Sequence, residues 1–165
     1  MRHVISVLVE NEFGVLSRIS GLFSGRGFNI ESLCVAETID PNVSQMTIVT
    51  RGSDEIVEQI TKQLRKLVTV IKVTDFTGTD FINREMVLIK VKATEGTRAE
   101  ILSIADIFRA KIVDVSPKTY TVELTGDENK ISAIIELFRP IGIIDLVRTG
   151  EIAIARSDKS VKTRK

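Results

Sequence analysis

The sequence has very little of the chemistry from which catalytic sites are usually built. It contains one cysteine, Cys34, one histidine, His3, one tyrosine and no tryptophan among its 165 residues. A zinc site or a histidine-activated nucleophile would have to use His3, and no cluster of further ligands lies near it in the sequence. We therefore predict no catalytic centre and no metal site. On this interpretation His3 is a partly exposed residue at a strand edge, and Cys34 is a buried, inert thiol.

The chain also lacks a strong charge bias and any apolar run long enough to cross a membrane. Its net charge is +1, which gives no overall attraction to nucleic acids or to membrane surfaces. A single cysteine cannot form an internal disulfide, so a reducing compartment suits the chain. The short apolar stretch after Met1 lacks the features of a secretory signal. We expect a soluble, cytoplasmic protein.

What the sequence does have is an alternation of two hydrophobic periods. Apolar residues with period two indicate strands, and apolar residues three and four apart indicate helices. Gly25 and Gly27 are expected to end the first helix, and Asp40-Pro41-Asn42 predicts a hairpin turn. The predicted elements are a strand at 4–9, a helix at 14–25, strands at 29–39 and 43–50, a helix that begins near Ser53, and a strand at 68–76.

The same order of elements restarts after a segment of linker composition, Thr77-Gly78-Thr79-Asp80. Further strands are predicted at 86–91, 112–115, 120–124 and 143–147. Two helices are predicted where apolar residues recur three and four apart, from Ile101 to Phe108 and from Ile131 to Phe138. The fold class is therefore α+β, a tandem of two βαββαβ, ferredoxin-like domains. The predicted divisions are a first domain at 1–77, a linker at 78–80, a second domain at 81–156 and a flexible basic tail at 157–165.

The corner between the first strand and the first helix is the candidate binding site. Gly14 has no Cβ, so another molecule can approach the backbone there. Free N–H groups around Gly14 and Val15 suit a carboxylate, because a helix N-terminus attracts anions. Carbonyl oxygens of Asn11 and Asn29 suit an ammonium group. The predicted apolar slot for a side chain is lined by Val15, Ile30 and Leu33. The ligand that fits this set is a free amino acid with a short aliphatic side chain.

Three other functions match the sequence less well. Gly25-Arg26-Gly27 approaches the dinucleotide-binding fingerprint, but it closes a helix where the fingerprint opens one, and the third glycine is missing. An RNA-recognition module stacks bases on aromatic residues of its central strands, and the predicted strand at 43–50 has none. Acylphosphatases share the topology and use an arginine and an asparagine. Arg18 and Asn29 match those residues by type, but Arg18 falls inside the helix.

The run from Glu10 to Leu33, E-N-E-F-G-V-L-S-R-I-S-G-L-F-S-G-R-G-F-N-I-E-S-L, resembles the amino-acid-binding corner of ACT domains. It is very similar to the small, regulatory subunits of bacterial acetolactate synthase, also called acetohydroxyacid synthase. The later stretches R-E-M-V-L-I-K-V and I-V-D-V-S-P-K-T-Y-T-V-E-L resemble the second domain of those subunits. The resemblance covers the whole chain and agrees with its length and tandem layout.

The resemblance implies a protein without chemistry or cofactors of its own. Its expected partner is a catalytic subunit that carries thiamine diphosphate, magnesium and FAD. The small subunit would raise the activity of that partner and confer feedback inhibition by valine. In the family two ACT domains pair side by side as a homodimer, and valine lies at their interface. The residues that match are Asn11, Gly14 and Val15 from one chain, with Asn29 and Ile30 from its partner.

One rival function fits the same residues. A free-standing tandem ACT sensor would bind an amino acid and control a different target, such as a transcriptional regulator. The residues also leave open the preference among valine, leucine and isoleucine, the surface that contacts a catalytic subunit, and the role of the second domain.

Overall fold

The computed structural model describes residues 1–156 of the chain. These residues divide into two compact units, one formed by residues 1–82 together with the segment that begins at Glu151, and one formed by residues 83–150. The predicted basic tail at 157–165 lies outside the described residues. Each unit has the predicted order of strands and helices, so the α+β tandem is confirmed.

The first unit is a four-stranded antiparallel sheet with two helices on one face. The strand order is β2-β3-β1-β4, so β2 and β4 are the two edges of this sheet. One face of the sheet and the inner stripes of the helices form the core, in which Ile5, Val7, Ile19, Phe23 and Ile48 are fully buried. The elements are β1 (Arg2–Glu10), α1 (Val15–Ser24), β2 (Ile30–Glu37), β3 (Val43–Arg51), α2 (Asp54–Arg65) and β4 (Val70–Asp75).

The two helices of the first unit begin in different ways. Helix α2 has a conventional N-cap, because the Ser53 side chain accepts a hydrogen bond from the Ile56 N–H and Asp54 and Glu55 lie in the first turn. Helix α1 follows Gly14, whose φ of 83° is left-handed, and it has neither a side-chain cap nor an acidic residue in its first turn. The N-terminus of α1 is therefore open.

The second unit repeats the order of elements, and the main path of its sheet is β6-β7-β5-β8. Its core lies between the sheet and the helices and includes Ile89, Ile101, Leu124, Ile131 and Phe138. The elements are β5 (Phe81–Lys92), α3 (Arg98–Phe108), β6 (Lys111–Val115), β7 (Thr119–Gly126), α4 (Glu128–Phe138) and β8 (Ile143–Arg148).

A buried carboxylate in the second unit is held by one arginine. The Arg148 guanidinium donates two hydrogen bonds of 2.6 Å to Glu85 and one of 3.0 Å to Glu128. The Glu85 side chain is 4 % exposed and that of Arg148 is 37 % exposed. Hydrogen bonding to Glu85 raises the pKa of Arg148, although burial opposes this. The network ties β5, β8 and the first turn of α4 together.

A last strand, β9 (Ile152–Ala155), pairs with β5 and is grouped with the first unit by its contacts. Ala153 packs with Val4, Val49 and Phe76 on the sheet face opposite the helices. Arg2 forms an ion pair with the buried Glu151, whose N–H donates to Ser32 Oγ at 3.0 Å. The sequence prediction placed these residues in the second domain, whereas their contacts place them in the first unit. The contacts of Ala153 and Glu151 place them there, and neither residue carries a sequence signal that would predict these contacts.

The interpretation of His3 as a partly exposed strand-edge residue was wrong. Strand β1 lies between β3 and β4 rather than at an edge, and His3 is 1 % exposed. Its ring nitrogens lie 2.7 Å from Thr77 Oγ1 and 3.2 Å from the Gly52 carbonyl oxygen. Polar groups that are buried in this way normally have partners, and here His3 joins β1 to the segments that follow β3 and β4.

Candidate functional site

The open N-terminus of α1 is the centre of the candidate site. Within residues 1–156, the N–H groups of Gly14, Leu16 and Ser17 donate no hydrogen bond, and that of Val15 makes only a long one, 3.4 Å, to the Glu12 carbonyl oxygen. A Cβ built on Gly14 would meet nothing within 4 Å, so the space above this backbone is open. Free N–H donors at a helix N-terminus form a site for an anion such as a carboxylate.

Asn11 is held beside this corner by the β2–β3 hairpin. Its backbone N–H donates to the Asn42 carbonyl oxygen at 2.7 Å. Its side-chain amide donates to the Pro41 carbonyl oxygen at 2.9 Å and to Glu37 Oε1 at 3.1 Å. Both bonds are donated by Asn11 Nδ2. Among residues 1–156, no group donates a hydrogen bond to Asn11 Oδ1. Asn11 therefore has an acceptor oxygen available for an ammonium group.

Glu37 lies beside the candidate site, and sequence reasoning did not select it. It lies at the end of β2 and reaches Asn11 across the hairpin. The available signal was the hairpin register, in which Glu37 pairs with Ser44 and Glu10 pairs with Val43, at the same end of β3. A carboxylate at this place fixes the Asn11 amide and adds negative charge close to the expected ammonium position.

Val15 has a narrower role than the sequence suggested. Its side chain is 3 % exposed and belongs to the core of the first unit. What Val15 offers to a ligand is therefore its backbone N–H and not a wall of an apolar slot. Ile30 and Leu33 are partly buried against the same core, so each keeps some side-chain surface outside it.

Asn29 and Ile30 lie at the other end of the sheet. Ile30 pairs with Thr50 on β3, whereas Glu10, next to Asn11, pairs with Val43. Seven residues of strand separate those two positions, which corresponds to about 23 Å. The Asn29 carbonyl oxygen accepts a 2.7 Å hydrogen bond from Thr50 Oγ1, and the exposed Asn29 side chain has no partner among the described residues. One chain therefore carries the two halves of the predicted site but does not bring them together.

A groove of about 580 Å³ lies elsewhere in the first unit, away from the corner. Four of its side chains are cationic, and such a lining opposes the ammonium group of a free amino acid. The groove is lined by Arg26, Gln59, Lys62, Gln63, Arg65 and Lys66. The chemistry of this lining makes the groove a poor site for that ligand.

The described part of the chain holds no group of three or more histidine, cysteine, aspartate or glutamate side chains that could bind a metal ion. Cys34 is half-buried on β2. No helix among residues 1–156 is long and apolar enough to cross a membrane.

Comparisons with known proteins agree with the two-unit architecture. Residues 5–72 match the family model described as an AHAS small subunit-like ACT domain. Residues 84–157 match the model described as the small subunit of acetolactate synthase.

Individual relatives are similar over nearly the whole chain. The acetolactate synthase small subunit of Aquifex aeolicus is 50 % identical over 98 % of this chain and 84 % of its own length. That of Haemophilus influenzae is 49 % identical over 98 % of this chain and 99 % of its own. The crystal structure of the small subunit from Thermotoga maritima superposes with a TM-score of 0.84 at 40 % identity, over 94 % of this chain and 98 % of that one.

Proposed function

Because this chain belongs to the family of acetolactate synthase small subunits, we propose that it is a cytoplasmic regulatory subunit that activates a thiamine-diphosphate-dependent catalytic subunit and confers feedback inhibition by valine. On this proposal the chain has no catalytic activity and no cofactor of its own, and thiamine diphosphate, magnesium and FAD belong to the catalytic subunit. The observation that carries the proposal is the uncapped N-terminus of α1 beside Gly14.

Valine suits the groups at this corner. Its carboxylate would accept hydrogen bonds from the N–H groups around Gly14 and Val15, which include the free N–H groups of Leu16 and Ser17. Its ammonium group would donate to Asn11 Oδ1, near the negative charge of Glu37. The dipole of α1 adds about 0.3–1 kcal/mol for an exposed anion. The remaining affinity must come from the second half of the site.

A homodimer would complete the site. Strand β2 is an edge of the first sheet, and an unpaired edge is a template for pairing with another strand. If two copies pair antiparallel along β2 about a twofold axis, the start of one β2 lies beside the end of the other. Asn29 of the partner subunit would then lie next to Glu37 and Asn11. This arrangement accounts for two half-sites about 23 Å apart in one chain.

A ligand shared by two chains also provides a route to regulation. Valine would bind the paired domains better than a single chain, so it favours the arrangement in which the two half-sites meet. Feedback inhibition requires that this arrangement be less active, with a coupling free energy of typically 1 to 3 kcal/mol, or roughly 5- to 150-fold.

The proposal is tested by the rate of pyruvate condensation by the cognate catalytic subunit. We expect a higher rate when this chain is added and a return toward the lower rate when valine is then added. An unchanged rate on addition of the chain would contradict the regulatory role and leave a free-standing amino-acid sensor as the function. Activation that valine does not reverse would contradict only the valine site.

Replacement of Asn29 by alanine should weaken valine binding. The exposed amide makes no hydrogen bond with any residue in 1–156, so the change removes mainly what the amide offers to a ligand or to the partner subunit. The loss of one hydrogen bond to a charged group corresponds to about 1.5–3 kcal/mol, or roughly 10- to 150-fold in affinity. Calorimetry measures this directly. Asn129→Ala, at an exposed position on α4, is the matched control, and equal affinities for the two variants would contradict the two-chain site.

A further inference from the structure

The three most exposed large apolar side chains among residues 1–156 all lie in loops of the first unit. The side chains of Phe13, Ile39 and Val68 are each almost completely exposed to solvent, and Val68, the least exposed of the three, is 94 % exposed. Phe13 precedes α1, Ile39 lies in the β2–β3 hairpin, and Val68 lies between α2 and β4. Scattered exposed apolar residues need no explanation, but a group of them at one place marks an interaction surface.

Backbone hydrogen bonds bring the three loops to the same end of the sheet. The Asn11 N–H donates to the Asn42 carbonyl oxygen at 2.7 Å, which joins the corner after β1 to the hairpin. The Glu10 N–H donates to the Thr69 carbonyl oxygen at 2.8 Å, which joins the same corner to the loop before β4. Phe13, Ile39 and Val68 are thus carried by three neighbouring loops, and we name this set the apolar tip.

Acidic residues lie beside Phe13 and Ile39 of the apolar tip, whereas Lys66 lies beside Val68. Glu10 and Glu12 flank Asn11 in the corner, and neither forms an ion pair with any residue in the described part of the chain. Asp40 lies next to Ile39 in the hairpin, where it accepts a 2.9 Å hydrogen bond from the Asn42 N–H. Apolar anchors with a charged rim are the usual composition of a protein interface. The chemistry of the matching surface is therefore apolar recesses with basic residues around them.

We propose that the apolar tip is the surface by which this chain docks on the catalytic subunit, at apolar recesses with a basic rim. This inference rests on the proposed regulatory function and names the contact through which it acts. The tip is continuous with the ligand corner, because Phe13 directly precedes Gly14 in the same turn. Valine bound on the α1 N–H groups would fix that turn and with it the position of Phe13. The same few residues would then sense the ligand and hold the partner.

A second copy of this chain is a less suitable occupant. The proposed homodimer pairs along β2, and β4 is the opposite edge of the sheet. Val68 lies two residues before β4. It is therefore at the sheet edge opposite the one along which a second copy would pair. A catalytic subunit at the end of the sheet can contact all three loops without competing for the β2 edge.

The test compares a triple variant, Phe13→Ser, Ile39→Ser and Val68→Ser, with the unaltered chain. Because these side chains are fully exposed, their removal should leave the fold intact, as circular dichroism would show. The concentration of chain that half-activates the catalytic subunit should rise on the order of 100-fold. Ile107→Ser/Ile154→Ser, at exposed positions outside the tip, is the matched control and should activate normally.

A double variant, Ile39→Ser/Val68→Ser, separates docking from ligand binding, because it leaves the corner unchanged. It should bind valine with normal affinity by calorimetry, remain dimeric by ultracentrifugation and still activate poorly. Normal activation by the triple variant would overturn the docking proposal. Loss of dimerisation in either variant would also overturn it, by assigning the tip to a second copy. If the unaltered chain does not activate the catalytic subunit, the proposed function is wrong, and so is the docking surface that rests on it.

Discussion

Gly14→Asp should abolish inhibition by valine while leaving activation of the catalytic subunit largely intact. The new Cβ would meet no atom within 4 Å, so the side chain enters the open space above the helix N-terminus. At a φ of 83° aspartate is among the better tolerated residues. Its carboxylate would occupy the free N–H groups and repel that of the ligand, by about 4 kcal/mol at contact near a protein surface. Valine affinity should therefore fall roughly 100-fold or more.

The matched control for this change is Gly14→Asn. Asparagine has the same shape and tolerates the same left-handed backbone, but it carries no charge. It should weaken valine binding much less than aspartate does, as measured by the valine concentration that gives half-inhibition. Equal losses in the two variants would show that bulk rather than charge is responsible. Undiminished inhibition in Gly14→Asp would remove Gly14 from the site.

Arg148→Ala should strongly destabilise the second unit. The substitution leaves the Glu85 carboxylate, 4 % exposed, without its bidentate partner. Breaking a buried ion pair costs about 3–5 kcal/mol, and the partial exposure of Arg148 reduces the expected loss to about 2–3 kcal/mol. Hydrogen exchange of amides in residues 83–150 would locate the effect, since the chain has two units and a single melting temperature would combine them.

Arg139→Ala provides the contrast within the same unit. Arg139 pairs with Glu136 at 2.7 Å on the surface of α4, and both side chains are exposed. Exposed pairs of this kind contribute about 0–1 kcal/mol. Comparable destabilisation by the two substitutions would contradict the role assigned to burial of Glu85.

The sequence predicts the fold well because both hydrophobic periods are strong. The sequence predicts an apolar face of Val15, Ile19 and Leu22 on α1, with Phe23 beside it. In the structure Phe23 is fully buried and Leu22 only partly so. The glycines after this face end the helix as expected. Predicted strand ends differ from the observed ones by zero to five residues. The largest difference is at β5, where the polar residues before Met86 still pair as a strand.

Sequence reasoning is weaker where long-range pairing decides the environment. It misplaced His3, because only the strand order shows that β1 is an interior strand. It selected Asn11 and Gly14 by residue type and did not find Glu37, whose contact with Asn11 depends on the hairpin register. The separation of Asn11 from Asn29 within one chain likewise follows from the register of β3 and not from their spacing in the sequence.

The return of β9 to the first unit has a consequence for synthesis on the ribosome. Val4 and Val49 are translated early, but Ala153, which packs on them, emerges only after residues 83–150 have been made. At a translation rate of about 5–20 residues per second, the time from residue 83 to Ala153 is roughly 4–14 s. During that interval Val4 and Val49, on the outer face of the first sheet, are not yet packed against Ala153. The second unit can already form its own core. The amino-terminal unit is thus begun first and completed last.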